Sequence, residues 1–133
     1  MADSTAERPS IDVLVLDDDV SISDTTVEIL RHAGLTVVPA HTVDTALELC
    51  ERFDFAAVVL DHTLNEPDGE DLLRRSAWPI PTVIVSASPL YHLEDIQQRF
   101  PDRVVGVRNK PCDPPDLVAV VKEAVERSGR QRA

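Results

Sequence analysis

Apolar residues in this chain gather into short continuous runs, and segments with helical spacing separate them. The runs Ile11-Asp12-Val13-Leu14-Val15-Leu16 and Phe55-Ala56-Ala57-Val58-Val59-Leu60 are each bounded by polar residues. A stretch of that length and continuity reads as a strand covered on both faces, and such strands belong to parallel sheets. Segments rich in Val, Ile, Leu or Phe place strands at about 11–16, 35–38, 55–60, 80–85 and 103–108, several of them preceded by Pro or Gly.

The intervening segments repeat at helical spacing. Ile22, Thr26, Ile29, Leu30 and Ala33 mark a first helix; Val43, Ala46, Leu47 and Cys50 mark a second; Leu72, Leu73 and Ser76 mark a third. A fourth, around 89–99, is opened by Pro89 and carries Leu93 and Ile96. The fifth is the clearest, with Leu117, Val120, Val121, Ala124 and Val125 on one stripe and Lys122, Glu123, Glu126 and Arg127 on the other. Ser21 or Ser23 is placed to cap the first helix, and Gly34 stands where a left-handed residue would close it. Thr42 is placed to cap the second. Asp113 with Pro114 and Pro115 opens the fifth in the usual order of cap then proline.

Five βα units with right-handed crossovers make an α/β fold, a doubly wound five-stranded parallel sheet with helices on both faces. Five strands fit the flavodoxin-like order 2-1-3-4-5. Residues 1–9 read as a flexible lead, 10–127 as one domain and 128–133 as a polar tail, with no repeat or low-complexity tract. A chain of 133 residues is the size of a single domain.

Composition narrows the function classes. The apolar runs are far short of the roughly 20 residues that cross a bilayer, and the polar opening lacks the apolar core of a signal peptide. A soluble, cytoplasmic protein without membrane contact is expected. Acidic residues number 24 against 13 basic, for a formal net charge of -11, and no Lys/Arg cluster is present to track a phosphate backbone. Direct nucleic-acid binding is not expected. Cys50 and Cys112 lack CxxC or His-paired spacing, so neither zinc nor a disulfide framework is indicated, and Cys50 reads as a small core residue.

The candidate chemistry lies at strand ends. Asp17-Asp18-Asp19 closes the first run and Asp61 the third. In an open parallel sheet the ligand crevice lies outside the carboxyl ends of the strands, so the two acid clusters converge. Converging carboxylates repel unless a cation sits among them, and a hard ion, Mg2+, suits an all-oxygen pocket. Ser86 ends the fourth strand and Lys110 follows the fifth. Carboxylates for a cation, a carboxylate oxygen as nucleophile, a hydroxyl and an ammonium together make a site for a phosphoryl group.

With these residues in place, the chain resembles the receiver domains of two-component response regulators over about residues 10–127. The matching pieces are Val15-Leu16-Asp17-Asp18-Asp19, Val58-Val59-Leu60-Asp61, Pro67-Asp68-Gly69, Val83-Ile84-Val85-Ser86-Ala87 and Asn109-Lys110-Pro111. The resemblance implies that Asp61 accepts a phosphoryl group from a histidine kinase or a histidine phosphotransfer protein and later loses it to water. It further implies that Asp18 binds Mg2+ directly, Asp17 through a water and Thr63 through its backbone carbonyl, with Asp61 completing the set. Lys110 would pair with Asp61 and then with the phosphate. Ser86 would move to hydrogen-bond the phosphate beside the small Ala87, shifting the 86–100 region. Asp19 fits the third, peripheral acidic position.

Several of these residues admit a plainer reading. Asp19 serves equally well as a helix cap; Ser86 as a turn residue and Lys110 as a solvated loop lysine are the weaker readings beside their partners at the other strand ends. His62 reads as a surface or gate residue, because neighbouring side chains point apart in extended structure. The chain departs from the family pattern at Val107, where an aromatic is usual, and at Asn65, where the usual proline is displaced to Pro67. A stand-alone receiver is expected, with output through an unidentified downstream protein, a phosphorelay or a separate domain, from a monomer or weak dimer. Self-catalysed phosphorylation is expected without turnover of an external substrate, since Thr63 stands where an aspartyl-phosphate phosphatase needs a general acid. The rival is a degenerate receiver acting as a phosphorylation-independent adaptor.

Overall fold

The computed structural model describes residues 8–61, 80–87 and 90–128. Along the chain run β1 (Ser10–Leu16), α1 (Val20–His32), β2 (Val37–Ala40), α2 (Val43–Arg52) and β3 (Asp54–Asp61). They are followed by β4 (Thr82–Ser86), α3 (Leu90–Arg99), β5 (Val104–Asn109) and α4 (Pro114–Arg127). All strands are parallel, in the order β2-β1-β3-β4-β5. The doubly wound flavodoxin-like sheet expected from the apolar runs is therefore the fold. The helix expected on Leu72, Leu73 and Ser76 lies outside the described residues, as do His62, Thr63, Asn65, Pro67 and Pro89.

Consecutive strand residues enter opposite apolar layers, which is why the runs show no polar alternation. On one face Val13, Val15, Val59, Val83 and Val85 meet Val27 and Leu30 of α1 and Leu117, Val120 and Val121 of α4. On the other, Leu14, Leu16, Val58, Leu60 and Ile84 meet Ala46 of α2 and Leu93 and Ile96 of α3. Each fully buried Val, Leu or Ile contributes about 1.5–3 kcal/mol relative to exposure, so the two layers dominate the stability. Gly106 allows the close approach of α4, since a Cβ there would lie 2.7 Å from Val120 Cγ2. Pro39, which cannot donate to a ladder, lies in the edge strand β2.

The local punctuation corrects two sequence expectations, the cap of α1 and the start of β2. The cap of α1 is Asp19, whose carboxylate accepts the Ile22 N–H at 3.0 Å; Ser21 and Ser23 lie inside the helix. Asp113 occupies the cap position of α4 ahead of Pro114 and Pro115 as expected, and it makes no side-chain cap bond because the prolines leave the first turn short of N–H donors. β2 begins at Val37 rather than residue 35. Gly34, at φ 94°, closes α1 with its N–H on the Arg31 carbonyl, and the Leu35 N–H is spent on the Leu30 carbonyl. Thr42 caps α2 as expected, accepting the Thr45 N–H at 3.1 Å.

Candidate functional site

Because the strands are parallel, their carboxyl ends form one rim. The registers set Leu16 beside Leu60, Asp61 beside Val85 and Ser86 beside Asn109. Asp17, one residue past β1, continues the ladder by donating its N–H to the Ala40 carbonyl at 3.0 Å. Its carboxylate is carried inward and is only 2% exposed as a residue. Oδ1 accepts the Asp19 N–H at 2.9 Å, whereas Oδ2 is buried and meets no donor among the described residues.

Lys110 reaches across to this acid pair. Its Nζ donates to Asp61 Oδ2 at 2.5 Å, with the two side chains 27% and 9% exposed. The Lys110 backbone N–H and the Asn109 side-chain amide both donate to the Ser86 carbonyl, at 2.8 and 3.3 Å, tying the tips of β4 and β5 together. The Lys110–Pro111 peptide bond is cis. Ser86 is fully buried and Ala87 exposed.

Burial pushes the Asp17 carboxyl from its ordinary value of 3.8 up to about 7. A hydrogen bond shared with Asp61 acts in the same direction, the Asp19 N–H opposes it, and the charges of Asp61 and Lys110 then raise and lower it respectively. The two carboxyls are close enough that each disfavours ionisation of the other, so the pair holds a proton more readily than either acid alone.

Of the expected site residues, the fold brings together Asp17, Asp61 and Lys110, with Ser86 at the adjoining strand tip. Asp18 is exposed on the rim, and Asp19 is engaged as the cap of α1. Among the described residues no three His, Cys, Asp or Glu side chains converge as a metal-holding group. The expected Thr63 carbonyl lies outside the described residues.

Sequence reasoning passed over His41. Its Nδ1 lies 2.9 Å from the Asp17 carbonyl oxygen, just past the end of β2. The strand order carried the signal, because β2 neighbours β1 and its carboxyl end belongs to the same rim. Beside the pocket, Ile22, Thr25, Ile29, Lys110, Pro111, Cys112 and Leu117 are among the residues lining a mostly apolar groove of about 630 Å3. Val20 and Ile22 of α1 are 54% and 41% exposed. Both cysteines are free; Cys50 packs against the α2–α3 layer, and burial pushes its thiol up to about 12. Among the described residues no helix is long and apolar enough to cross a membrane.

Comparison with known proteins agrees with this geometry. The family model for the response regulator receiver domain matches residues 13–122. Regulatory protein VanRc of Enterococcus gallinarum is 28% identical over 127 residues, covering 89% of this chain and 51% of that protein. The chain thus spans about half the length of this curated relative. A sensor protein from Polaromonas sp. JS666 superposes with a TM-score of 0.75 at 26% identity, covering 91% of this chain and 98% of that one. NtrX from Brucella abortus, solved in complex with ATP, gives a TM-score of 0.78 at 27% identity over 90% of this chain and 28% of its own. A CheY-like receiver domain protein from Methanospirillum hungatei JF-1 shares the fold, with a TM-score of 0.74 at 22% identity over 91% and 96% of the two chains.

Proposed function

The chain belongs to the response regulator receiver domain family, and on that footing we propose that it accepts a phosphoryl group on Asp61 from a histidine kinase or a histidine phosphotransfer protein. The observation that carries this reading is Lys110 Nζ on Asp61 Oδ2 beside the buried, donorless Oδ2 of Asp17. A carboxylate oxygen of Asp61 attacks phosphorus, the bond from phosphorus to the donor's imidazole nitrogen breaks, and its electron pair returns to the ring. The product is an acyl phosphate that water later opens at phosphorus. Lys110 is placed to follow the negative charge from carboxylate to phosphoryl oxygens, and Ser86 and Ala87 contact the group from the β4 tip. Exposed Val20 and Ile22 and the apolar groove beside Lys110 provide area on which a protein donor can seat.

Asp17 and Asp61 offer oxygen donors, one with no hydrogen-bond donor to compete, and this fits a hard divalent cation. Mg2+ would be held by Asp18 and Asp61, by Asp17 through a water, and by the backbone carbonyl of Thr63. When bound it supplies positive charge against the transferring phosphoryl oxygens. The reading places the protein in the cytoplasm as a monomer or weak dimer, with residues 10–127 as the receiver unit. It acts on itself rather than on an external substrate, and it signals to a downstream protein.

Signalling follows from a shift of the 86–100 region as the Ser86 hydroxyl engages the phosphoryl group. Val107 is half-buried against the layer that holds Leu93 and Ile96, with no large ring to swing, so the change concentrates in the loop and α3. The same short side chain favours the second reading, a phosphorylation-independent adaptor. Incubation with a small phosphodonor and Mg2+ separates them. The phosphoacceptor reading expects one base-labile phosphoryl adduct by intact mass, dependent on Mg2+, and altered hydrogen exchange in 86–100 that Ser86→Ala suppresses. An unmodified mass under these conditions leaves the adaptor reading in its place.

A further inference from the structure

We infer that His41 is a positioning residue for Asp17, and through it for cation binding; the inference rests on the proposed reading of the acid pocket. Both polar groups of the Asp17 backbone are held by consecutive residues at the end of β2. The Ala40 carbonyl accepts the Asp17 N–H at 3.0 Å, and His41 Nδ1 lies 2.9 Å from the Asp17 carbonyl oxygen. A carbonyl only accepts, so Nδ1 carries the hydrogen and donates it.

The consequence lies in the side chain. Asp17 stands past the last residue of β1, where the ladder to β3 has already ended at Leu16–Leu60. The direction of its carboxylate depends on the peptide planes on either side of Cα. Ala40 fixes the preceding plane and His41 the following one. With both fixed, Oδ1 faces the Asp19 N–H and Oδ2 is left buried without a donor beside Asp61. Loss of the His41 bond frees the second plane, so the carboxylate can turn Oδ2 toward water and away from Asp61. His41 touches neither phosphoryl group nor cation in this account. Partners that orient a metal's ligands typically cost a metal site tenfold or more when removed, and a peptide-plane clamp acts in the same way.

The test uses Mg2+ alone as probe, on wild type, His41→Ala and His41→Asn. Asparagine sets a side-chain N–H donor close to where imidazole Nδ1 stands. Titration calorimetry should show Mg2+ binding weakened by about tenfold in His41→Ala and largely restored in His41→Asn. The Asp19 amide reads the same event independently, since its N–H bonds to Asp17 Oδ1. In His41→Ala its proton resonance should move upfield and exchange faster, and in His41→Asn it should return. If His41→Ala binds Mg2+ as wild type does, or if both variants are impaired equally, His41 is no positioning residue and the acid-pocket reading stands. If wild type itself binds no Mg2+, the pocket reading falls and this inference with it.

Discussion

Replacing Lys110 with alanine is expected to slow phosphoryl uptake from a small donor by about two to three orders of magnitude, the range seen when one charge-stabilising donor is removed from a reacting centre. Two effects oppose each other. Removing the ammonium that lies 2.5 Å from Asp61 Oδ2 frees the carboxylate and makes it a better nucleophile. It also removes positive charge from the place where the phosphoryl oxygens must sit. In a loose phosphoryl-transfer transition state little bonding to the nucleophile has formed, so nucleophile strength matters little and charge stabilisation matters much. The loss therefore wins. The fold should persist, because β5 is tied to Ser86 through the Lys110 backbone N–H and not its side chain. Time courses of intact mass for the two proteins check this, and an undiminished rate in the variant would remove Lys110 from the chemistry.

Without Mg2+, the protein is expected to lose stability as pH rises from about 4 to about 7, with Asp17 as the main source. Burial above all, together with Asp61, holds the Asp17 carboxyl near 7 against its ordinary 3.8. The folded state thus keeps a proton that the unfolded state has released. Such a raised group contributes stability that is complete below its unfolded value and gone once pH passes its folded value. The span corresponds to a few kcal/mol, on the order of one-third of a typical domain's stability. Asp17→Asn should flatten this dependence and make the Mg2+-free protein more stable above about pH 7, because an amide can accept from the Asp19 N–H and donate to Asp61. Mg2+ should stabilise wild type at the same pH through its preference for the folded state, and leave the variant nearly unmoved. Denaturant titrations across pH measure all three, and parallel profiles for wild type and Asp17→Asn would contradict the assignment.

The central architecture was legible because burial on both faces leaves a direct trace. The continuous runs at 11–16 and 55–60 are visible without any alignment, and their terminal acids locate the rim. What the sequence hid was settled by competition among nearby polar groups. Asp19 and Ser21 are both good caps, and which one serves depends on where the chain leaves β1. Leu35 looks like strand, yet its N–H closes the preceding helix. In the site, Asp61 and Lys110 were readable from strand ends and meet as expected. The resemblance gives Asp18 the direct place at the metal and Asp17 one through a water, whereas the structure buries Asp17 and exposes Asp18, a distinction set by backbone direction after β1. His41 escaped because its role runs through a main-chain carbonyl, which no residue type announces.

The account rests on Asp61 as the phosphoacceptor, and reductive trapping tests this most directly. Borohydride converts an aspartyl phosphate to homoserine, which peptide mapping locates by mass. After incubation with a small phosphodonor and Mg2+, homoserine is expected at position 61 and at no other acid. Homoserine at Asp17, Asp18 or Asp19, or a phosphoryl group that persists in Asp61→Ala, would contradict the account.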